Sequence, residues 1–109
     1  MPDKESAEKE FRKLIDIDRI IHEPSRLLIM SCLSVVKRAD FTFLLNQTGL
    51  TRGNLSSHLS KLEDAGYVII EKEFVDKIPR TLLKLSEEGK KAFHEYRQRM
   101  EDVLEEIPE

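Results

Sequence analysis

The sequence predicts an α+β domain that is mostly α-helical, and three observations support this fold class. A chain of 109 residues is long enough for one domain but too short for two. Apolar residues recur at helical spacing in five segments. One stretch before the last helix is instead β-rich and of strand length. We therefore expect a single domain over residues 1–109.

Two helices are predicted in the first third of the chain. Residues 5–15 carry three apolar side chains at helical spacing, Phe11, Leu14 and Ile15. A second apolar patch at residues 17–21 leads to Pro24, which suits the first turn of a helix because no backbone N–H is needed there. The helix expected over Pro24–Lys37 has a stripe broad enough to be the buried centre of the domain: Leu27, Leu28, Ile29, Leu33 and Val36.

Two further helices follow, with a tight turn between them. A short extended piece at Asp40–Phe41 precedes Thr42, whose hydroxyl can cap a helix that ends at Gly49. Thr51 can cap the next helix, which we expect to end at Gly66. Three leucines at steps of four and three predict its buried face: Leu55, Leu59 and Leu62.

The pattern then changes from helical to strand spacing. Tyr67–Phe74 and Arg80–Ser86 are β-rich and Val75–Pro79 is typical of a turn, which predicts a hairpin with a charged tip. Ser86 precedes two glutamates and predicts a helix start, because its hydroxyl can cap and carboxylates favour the positive end of the helix dipole. This last helix is expected to run to about Glu106.

The order of these elements is that of a winged helix-turn-helix domain with extra N- and C-terminal helices. We assign residues 42–66 to the helix-turn-helix and residues 67–85 to the wing. Residues 5–22 would form an N-terminal dimerisation helix and its lead-in, and residues 86–107 a C-terminal dimerisation helix.

The helix that begins after Thr51 has an unusual outward face. Solvent-facing helix positions usually hold Glu, Lys, Gln or Arg, which suit a helix and stay hydrated. This face instead offers mainly short hydrogen-bonding side chains: Asn54, Ser56, Ser57, His58 and Ser60. Gly53 is costly in a helix unless a close approach is needed. A DNA major groove, about 12 Å wide, is a polar surface that demands such an approach.

The residues also carry a resemblance to a known family. TGLTRGNLSSHLSKLEDAGYV, with EKEFVDKIPRTLLKLSEEGKKAF after it and RIIHEPSRLLIM before it, resembles the small MarR-like and ArsR-like winged-helix transcriptional regulators over about residues 17–100. The most specific parts are GLTxGNLSSHLxKLEDAGY and PRTxxxLSEEG. The resemblance implies a homodimeric DNA-binding regulator, expected to be a repressor, with Thr51–Gly66 as recognition helix and the Glu71–Leu83 hairpin as wing. The metal-sensing ArsR-like branch keeps a cysteine pair, whereas this chain has only Cys32.

Candidate DNA contacts lie on the recognition helix and the wing: Thr51, Arg52, Asn54, Ser57, His58, Lys61, Lys77 and Arg80. Arg52 and Asn54 can make paired hydrogen bonds to guanine and adenine, while Ser57 and Lys61 are expected to meet phosphate. His58 is expected either to contact phosphate or to be a half-buried histidine that donates to backbone. Lys77 and Arg80, on the wing, would contact the adjacent DNA backbone or minor groove and add affinity.

The last helix predicts a homodimer. Its apolar residues recur at steps of three and four in a coiled-coil-like seam that is too long for a small domain to cover alone: Phe93, Tyr96, Met100, Val103 and Ile107. Phe11, Leu14 and Ile15 would supply the partner surface. The alternative is that the last helix folds back on its own domain.

Charge and composition are compatible with double-stranded DNA as the partner. The net charge is −3, but residues 19–85 carry ten basic and seven acidic groups between two acidic ends. No apolar run has signal-peptide or membrane length, so we expect a cytoplasmic protein without a membrane partner. One cysteine and three scattered histidines match no metal site. No catalytic arrangement stands out, so neither a cofactor nor enzyme activity is expected.

The sequence leaves two other functions open. Winged helices also serve as protein-docking surfaces, which an exposed-looking Phe43 and mutually cancelling wing charges favour. Alternatively, an effector of unknown identity would bind between the terminal helices and the DNA-binding core, near the dimer interface. Salt-dependent binding to duplex DNA distinguishes protein docking from DNA binding.

Overall fold

In the computed structural model, residues 3–109 are described and form five α-helices and a three-stranded antiparallel sheet. The helices are α1 (Lys4–Phe11), α2 (Pro24–Val35), α3 (Phe41–Thr48), α4 (Arg52–Asp64) and α5 (Glu87–Glu105). The strands are β1 (Ala39–Asp40), β2 (Val68–Val75) and β3 (Ile78–Leu85), in the sheet order β1-β3-β2. The predicted winged helix-turn-helix with extra terminal helices is confirmed.

Side chains cap the helices at positions that local chemistry predicts, with one exception. Thr51 Oγ1 accepts the N–H of Asn54 at 3.2 Å, and Ser86 Oγ accepts that of Gly89 at 2.8 Å, as expected. The prediction that Thr42 caps the third helix is wrong. Asp40 Oδ1 accepts the N–H of Phe43 at 2.7 Å, so α3 begins at Phe41 and Thr42 lies inside its first turn.

The N-terminal helix is shorter than residues 5–15. Its α-helical hydrogen bonding ends at Phe11, and the chain continues as a 3₁₀ helix over Arg12–Asp16. An i→i+3 helix is tighter and advances further per residue, so it turns Leu14 and Ile15 differently from an α-helical continuation. Both side chains are exposed in the chain, at 40% and 70% respectively.

The hairpin is longer and its turn tighter than the sequence predicts. β2 and β3 pair from Val68↔Leu85 to Val75↔Ile78, so only Asp76 and Lys77 remain as the loop. Both loop residues have positive φ, 51° and 67°, as a two-residue hairpin turn with the right-handed strand twist requires. β1 adds a third strand, with Ala39 opposite Leu83 on β3.

The core lies between the sheet and the helices around it. Ile29, Met30 and Leu33 of α2 pack there with the three predicted leucines of α4, which are all at most 3% exposed. Alternate residues of the hairpin contribute its inner face, Val68, Leu83 and Leu85. Within residues 3–109, no helix is long and apolar enough to span a membrane.

Candidate nucleic-acid interface

The exposed side of α4 carries the predicted contact residues. Because three leucines fix the inward face, the opposite side presents Arg52, Asn54, Ser57 and Lys61 to solvent. None of these side chains forms a hydrogen bond or ion pair with another side chain among residues 3–109. The N-terminal half of α4 therefore offers polar groups whose hydrogen-bonding capacity is unused within the described chain.

The surface at the start of α4 is open. A Cβ added to Gly53 would meet nothing within 4 Å, so packing within the domain does not require glycine at this position. The guanidinium of Arg52 lies 5.8 Å from the centroid of the Phe41 ring, a cation–π contact that steadies the side chain without occupying its N–H donors. The start of α4 therefore has an open surface at Gly53, next to Arg52, whose side chain is held by the Phe41 ring.

His58 is tied to the start of α2. Its Nδ1 lies 3.2 Å from Nη1 of Arg26 and 3.7 Å from Oε2 of Glu23. A guanidinium can only donate, so Nδ1 accepts from Arg26 and the neutral ring carries its proton on Nε2. Arg26 itself is fixed by donating its Nε–H to the carbonyl of Ile20 at 2.6 Å. His58 is thus half-buried, but it accepts from a side chain rather than donating to backbone.

The wing charges do not cancel one another in the way the sequence suggests. Arg38 Nη2 lies 3.6 Å from carboxylate oxygens of both Glu71 and Glu73, and Lys84 Nζ lies 3.1 Å from Glu71. The two glutamates are therefore neutralised from the base of the wing. Lys77 and Arg80 are exposed and have no carboxylate within ion-pair distance in the described residues.

The predicted seam of α5 divides into two stripes. Tyr96 and Val103 are 6% and 3% exposed; Tyr96 belongs to the core of the domain, and the 3₁₀ helix and α1 of the same chain pack against α5. The Tyr96 hydroxyl also lies 2.9 Å from Nδ1 of His22. Phe93 and Met100 are half-buried and Ile107 is exposed. The stripe open to a partner is therefore narrower than the sequence predicts.

Four residues relevant to these surfaces were missed by the sequence reasoning. Leu104 is 57% exposed and continues the open stripe, one helical step of four residues after Met100. Phe74 and Ile78 are exposed apolar residues at the wing tip, where the alternation of a longer hairpin could have indicated them. Arg26 has no local signal, because its partner His58 is 32 residues away.

A groove of about 910 Å³ lies between the first half of α5, the end of α2 and the outer face of the sheet. Its floor includes Leu33, Val36, Ile69 and Phe93. Basic side chains are frequent around it, with Glu87 as the one acidic lining residue: Lys37, Arg38, Lys84, Lys90 and Arg97. The groove therefore combines apolar and basic lining residues, and Lys37 is the basic one without a carboxylate within ion-pair distance in the described residues.

The sequence of the chain is similar to a family of known proteins and to an individual protein. Residues 25–104 match the family model for a winged helix DNA-binding domain. The chain is 32% identical over 78 residues to an uncharacterized protein of Methanocaldococcus jannaschii, in a match that spans 72% of this chain and 85% of that protein.

Two solved structures are similar to the whole arrangement. A transcriptional regulator homologue from Pyrococcus horikoshii OT3 superposes with a TM-score of 0.81 at 29% identity, over 89% of this chain and 95% of the other. NadR, solved in complex with 4-hydroxyphenylacetate, superposes with a TM-score of 0.68 at 27% identity, over 94% and 70% respectively.

Proposed function

The chain belongs to the family of winged helix DNA-binding domains, and on that premise we propose that it is a homodimeric transcriptional regulator that binds double-stranded DNA sequence-specifically. In this proposal α4 enters the major groove, the β2–β3 wing lies on the adjacent backbone or minor groove, and the bound dimer represses transcription. It acts by binding rather than by catalysis.

The observation that carries the proposal is the unused polar face at the start of α4. Arg52 and Asn54 are exposed there, with side-chain donors and acceptors that can pair with the edge of a base. Ser57 and Lys61 lie further along the same side and can meet phosphate. Thr51 caps α4 through its oxygen, which leaves its hydroxyl proton available to a phosphate.

His58 supports the same orientation of α4. With Nδ1 accepting from Arg26, the remaining ring donor is Nε2–H, which we propose points towards phosphate at the flank of the helix. On the wing, Lys77 and Arg80 extend the positive surface. Since Arg38 and Lys84 engage the wing glutamates, the charge cancellation that favoured protein docking is weakened.

Dimerisation is supported by the shape of the chain and by exposed apolar residues at one end. The radius of gyration is 16.7 Å, against about 13 Å for a compact domain of this length. Four exposed apolar residues lie on the 3₁₀ helix, at the end of α5 and just beyond it: Leu14, Ile15, Leu104 and Ile107. We propose these with Phe11, Phe93 and Met100 as the dimer surface. Tyr96 and Val103 would support it from beneath.

The function is tested by selecting bound sequences from a random pool of duplex DNA. A two-fold symmetric motif is expected, with half-sites about 10 base pairs apart, because two recognition helices related by a dimer axis read successive major grooves. A light-scattering mass of two chains should accompany it. Recovery of no sequence preference together with salt-independent capture of a protein would favour the docking alternative instead.

The dimer surface is tested separately with charge substitutions. Ile15→Glu combined with Ile107→Glu should yield a monomer at micromolar concentration, because burying two carboxylates in an apolar interface is unfavourable. Val35→Glu is the matched control, since Val35 is 84% exposed and lies outside that surface. A dimeric mass for the double variant would show that the chains associate elsewhere.

A second candidate function is effector-controlled binding, which the groove beside α5 favours. Its apolar lining and the ammonium of Lys37, which is unpaired among the described residues, suit a small organic anion, and the similar structure of NadR contains 4-hydroxyphenylacetate. A panel of aromatic and aliphatic carboxylates should include one that raises the thermal unfolding midpoint and shifts the DNA affinity. Lys37→Ala should abolish both effects, whereas Lys91→Ala, an exposed lysine outside the groove, should leave them unchanged.

A further inference from the structure

The tip of the wing is apolar on both of its faces. Phe74 pairs with Pro79 on the face that continues from the buried pair Val68 and Leu85. On the opposite face, Val75 pairs with Ile78. These side chains extend beyond the core: Phe74 is 77% exposed, Ile78 64% and Val75 39%. Packing within the domain therefore gives no reason for a large aromatic and a branched aliphatic residue here.

The surroundings of this apolar tip are positive. Lys72, Lys77 and Arg80 are exposed and without an ion pair in the described part of the chain, while Asp76 is the acidic residue at the turn. The wing glutamates are engaged by Arg38 and Lys84 nearer the base. A suitable partner must offer negative charge on both sides of an apolar interior.

The minor groove of DNA has this chemistry. Its rims are phosphates, its walls are sugar carbons, and a kinked base step exposes apolar base faces between them. A two-stranded hairpin has a backbone about 5 Å across from strand to strand, and the undistorted minor groove is about 6 Å wide. With side chains on both faces, the tip can enter only if the groove opens. In the opened groove, the apolar side chains on both faces of the tip can contact the sugars and base faces.

We infer that the wing tip is an apolar wedge, in which Phe74 and Ile78 enter the minor groove beside the half-site read by α4 and partly unstack one base step. Lys72, Lys77 and Arg80 hold the flanking phosphates. The inference rests on the proposed DNA-binding function. The wedged step is expected to be a pyrimidine–purine step, because these unstack most readily.

The test uses the full chain and a duplex that carries its selected operator. An adenine analogue that brightens on unstacking is placed at successive steps beyond each half-site, and donor and acceptor dyes at the duplex ends report bending. The wild type should brighten the analogue at one step per half-site and shorten the end-to-end distance. Phe74→Ala combined with Ile78→Ala should abolish both signals and weaken binding by at least about tenfold, the order expected for losing the burial of one large apolar side chain.

Two variants serve as controls. Val35→Ala removes another highly exposed apolar side chain and should change none of the signals. Lys77→Ala should weaken binding but keep the brightening at saturating protein. Because Phe74 and Ile78 are exposed, the double variant should keep the wild-type unfolding midpoint, which separates loss of the wedge from loss of the fold.

Three outcomes would overturn the wedge. If wild type binds the operator with a sequence preference that depends on α4 but brightens no step, the wedge is wrong and the proposed function stands. If the double variant instead lowers the mass of the protein without DNA, the tip is a contact between copies. If wild type binds no duplex, the proposed function fails together with the wedge.

Discussion

The outward faces of α4 and α5 show two ways of building an exposed helix surface. On α5, long polar side chains pair within the helix: Lys90 with Glu87 at 3.3 Å, Arg97 with Glu101 at 2.8 Å, and Gln98 with Asp102 at 3.3 Å. On α4, the exposed side is mostly short and none of its candidate contact residues is paired in this way within residues 3–109.

Helix stability alone explains the surface of α5 but not that of α4. Pairs three or four residues apart add a few tenths of a kcal/mol each and keep an exposed helix hydrated. Serine, asparagine and glycine reduce helix propensity and leave α4 less stable than it could be. The difference supports our proposal that α4 binds a partner outside the chain.

Gly53 of α4 and Gly89 of α5 show the same difference between the two helices at single positions. At Gly53 of α4 an added Cβ would be in open space, whereas at Gly89 of α5 it would lie 2.1 Å from the carbonyl oxygen of Tyr67. Gly89 is needed by the fold, because the start of α5 packs against that backbone. Gly53 is needed, in our proposal, only by the bound DNA.

The largest expected effect is therefore on folding, at Gly89. Gly89→Ala must separate α5 from the Tyr67 carbonyl and should lower the free energy of unfolding by about 3 kcal/mol, the upper part of the range for overpacking a well-filled site. Urea denaturation measures the change. A variant as stable as wild type would mean that α5 tolerates a shift at its start and that the two glycines are alike.

The next effect concerns base recognition by α4. Arg52→Ala and Asn54→Ala should each cost about 1 to 3 kcal/mol at one base position per half-site, because each removes side-chain hydrogen bonds to a base edge. Affinities for the selected operator and its single-base variants measure this. Arg97→Ala and Gln98→Ala on α5 are the matched controls and should leave the ranking of sequences intact. If the ranking survives all four substitutions, α4 is not the reading element.

Gly53→Ala should act in opposite directions on folding and binding. Alanine is favoured over glycine by about 1 kcal/mol in a helix interior and by less in the first turn, where Gly53 lies; since the added methyl also has open space, the variant should be slightly more stable than wild type. The same methyl should weaken DNA binding by holding α4 away from the groove. Denaturation and operator affinity are measured on one preparation, and equal affinity would show that this face does not approach DNA closely.

A smaller effect concerns Tyr67, which links the end of α4 to the start of α5. Burial, and then its hydrogen bond to Asp18, raise the pKa of the Tyr67 phenol from an ordinary value of 10.0 to about 12. Its contribution to stability is complete below pH 10 and is lost as the pH rises through about 12. Tyr67→Phe should remove this alkaline transition, measured by tyrosinate absorbance together with the free energy of unfolding. An unaltered transition would assign it to Tyr96.

The fold was predictable where the interactions that specify it are local. Thr51 and Ser86 cap the helices expected of them, and the leucine spacing of α4 identified its buried face. Thr42 was mistaken for a cap because Asp40 competes two residues earlier, and a carboxylate there reaches the N–H of Phe43.

The remaining features of the fold and of the candidate interface depend on contacts between residues that are far apart in the sequence. Arg26 orients His58 across 32 residues, and Tyr67 reaches Asp18 across 49. Tyr96 is buried in a core built from residues far apart in the chain, and the 3₁₀ helix packs against α5; periodicity within α5 reveals neither contact. The sequence therefore indicates which side chains of α4 are exposed, but not the side chains that pack against them from distant parts of the chain.

The smallest expected effect is on the salt dependence of DNA affinity, which should differ between a variant of the wing and a variant of α5. Arg80→Ala should weaken binding to all sequences alike and reduce the slope of log affinity against log salt by about 0.9, the value for one phosphate contact. Arg97→Ala removes the same charge from α5, where Glu101 engages it, and should leave the slope unchanged. The comparison controls for overall charge, because both variants lower the net charge of the chain by one. A changed base preference with an unchanged slope would mean that Arg80 reads a base edge instead of contacting phosphate. Equal slope changes in both variants would instead mean that DNA affinity depends on the overall charge of the protein. The proposed difference, in which α4 and the wing face DNA and α5 does not, would then be wrong.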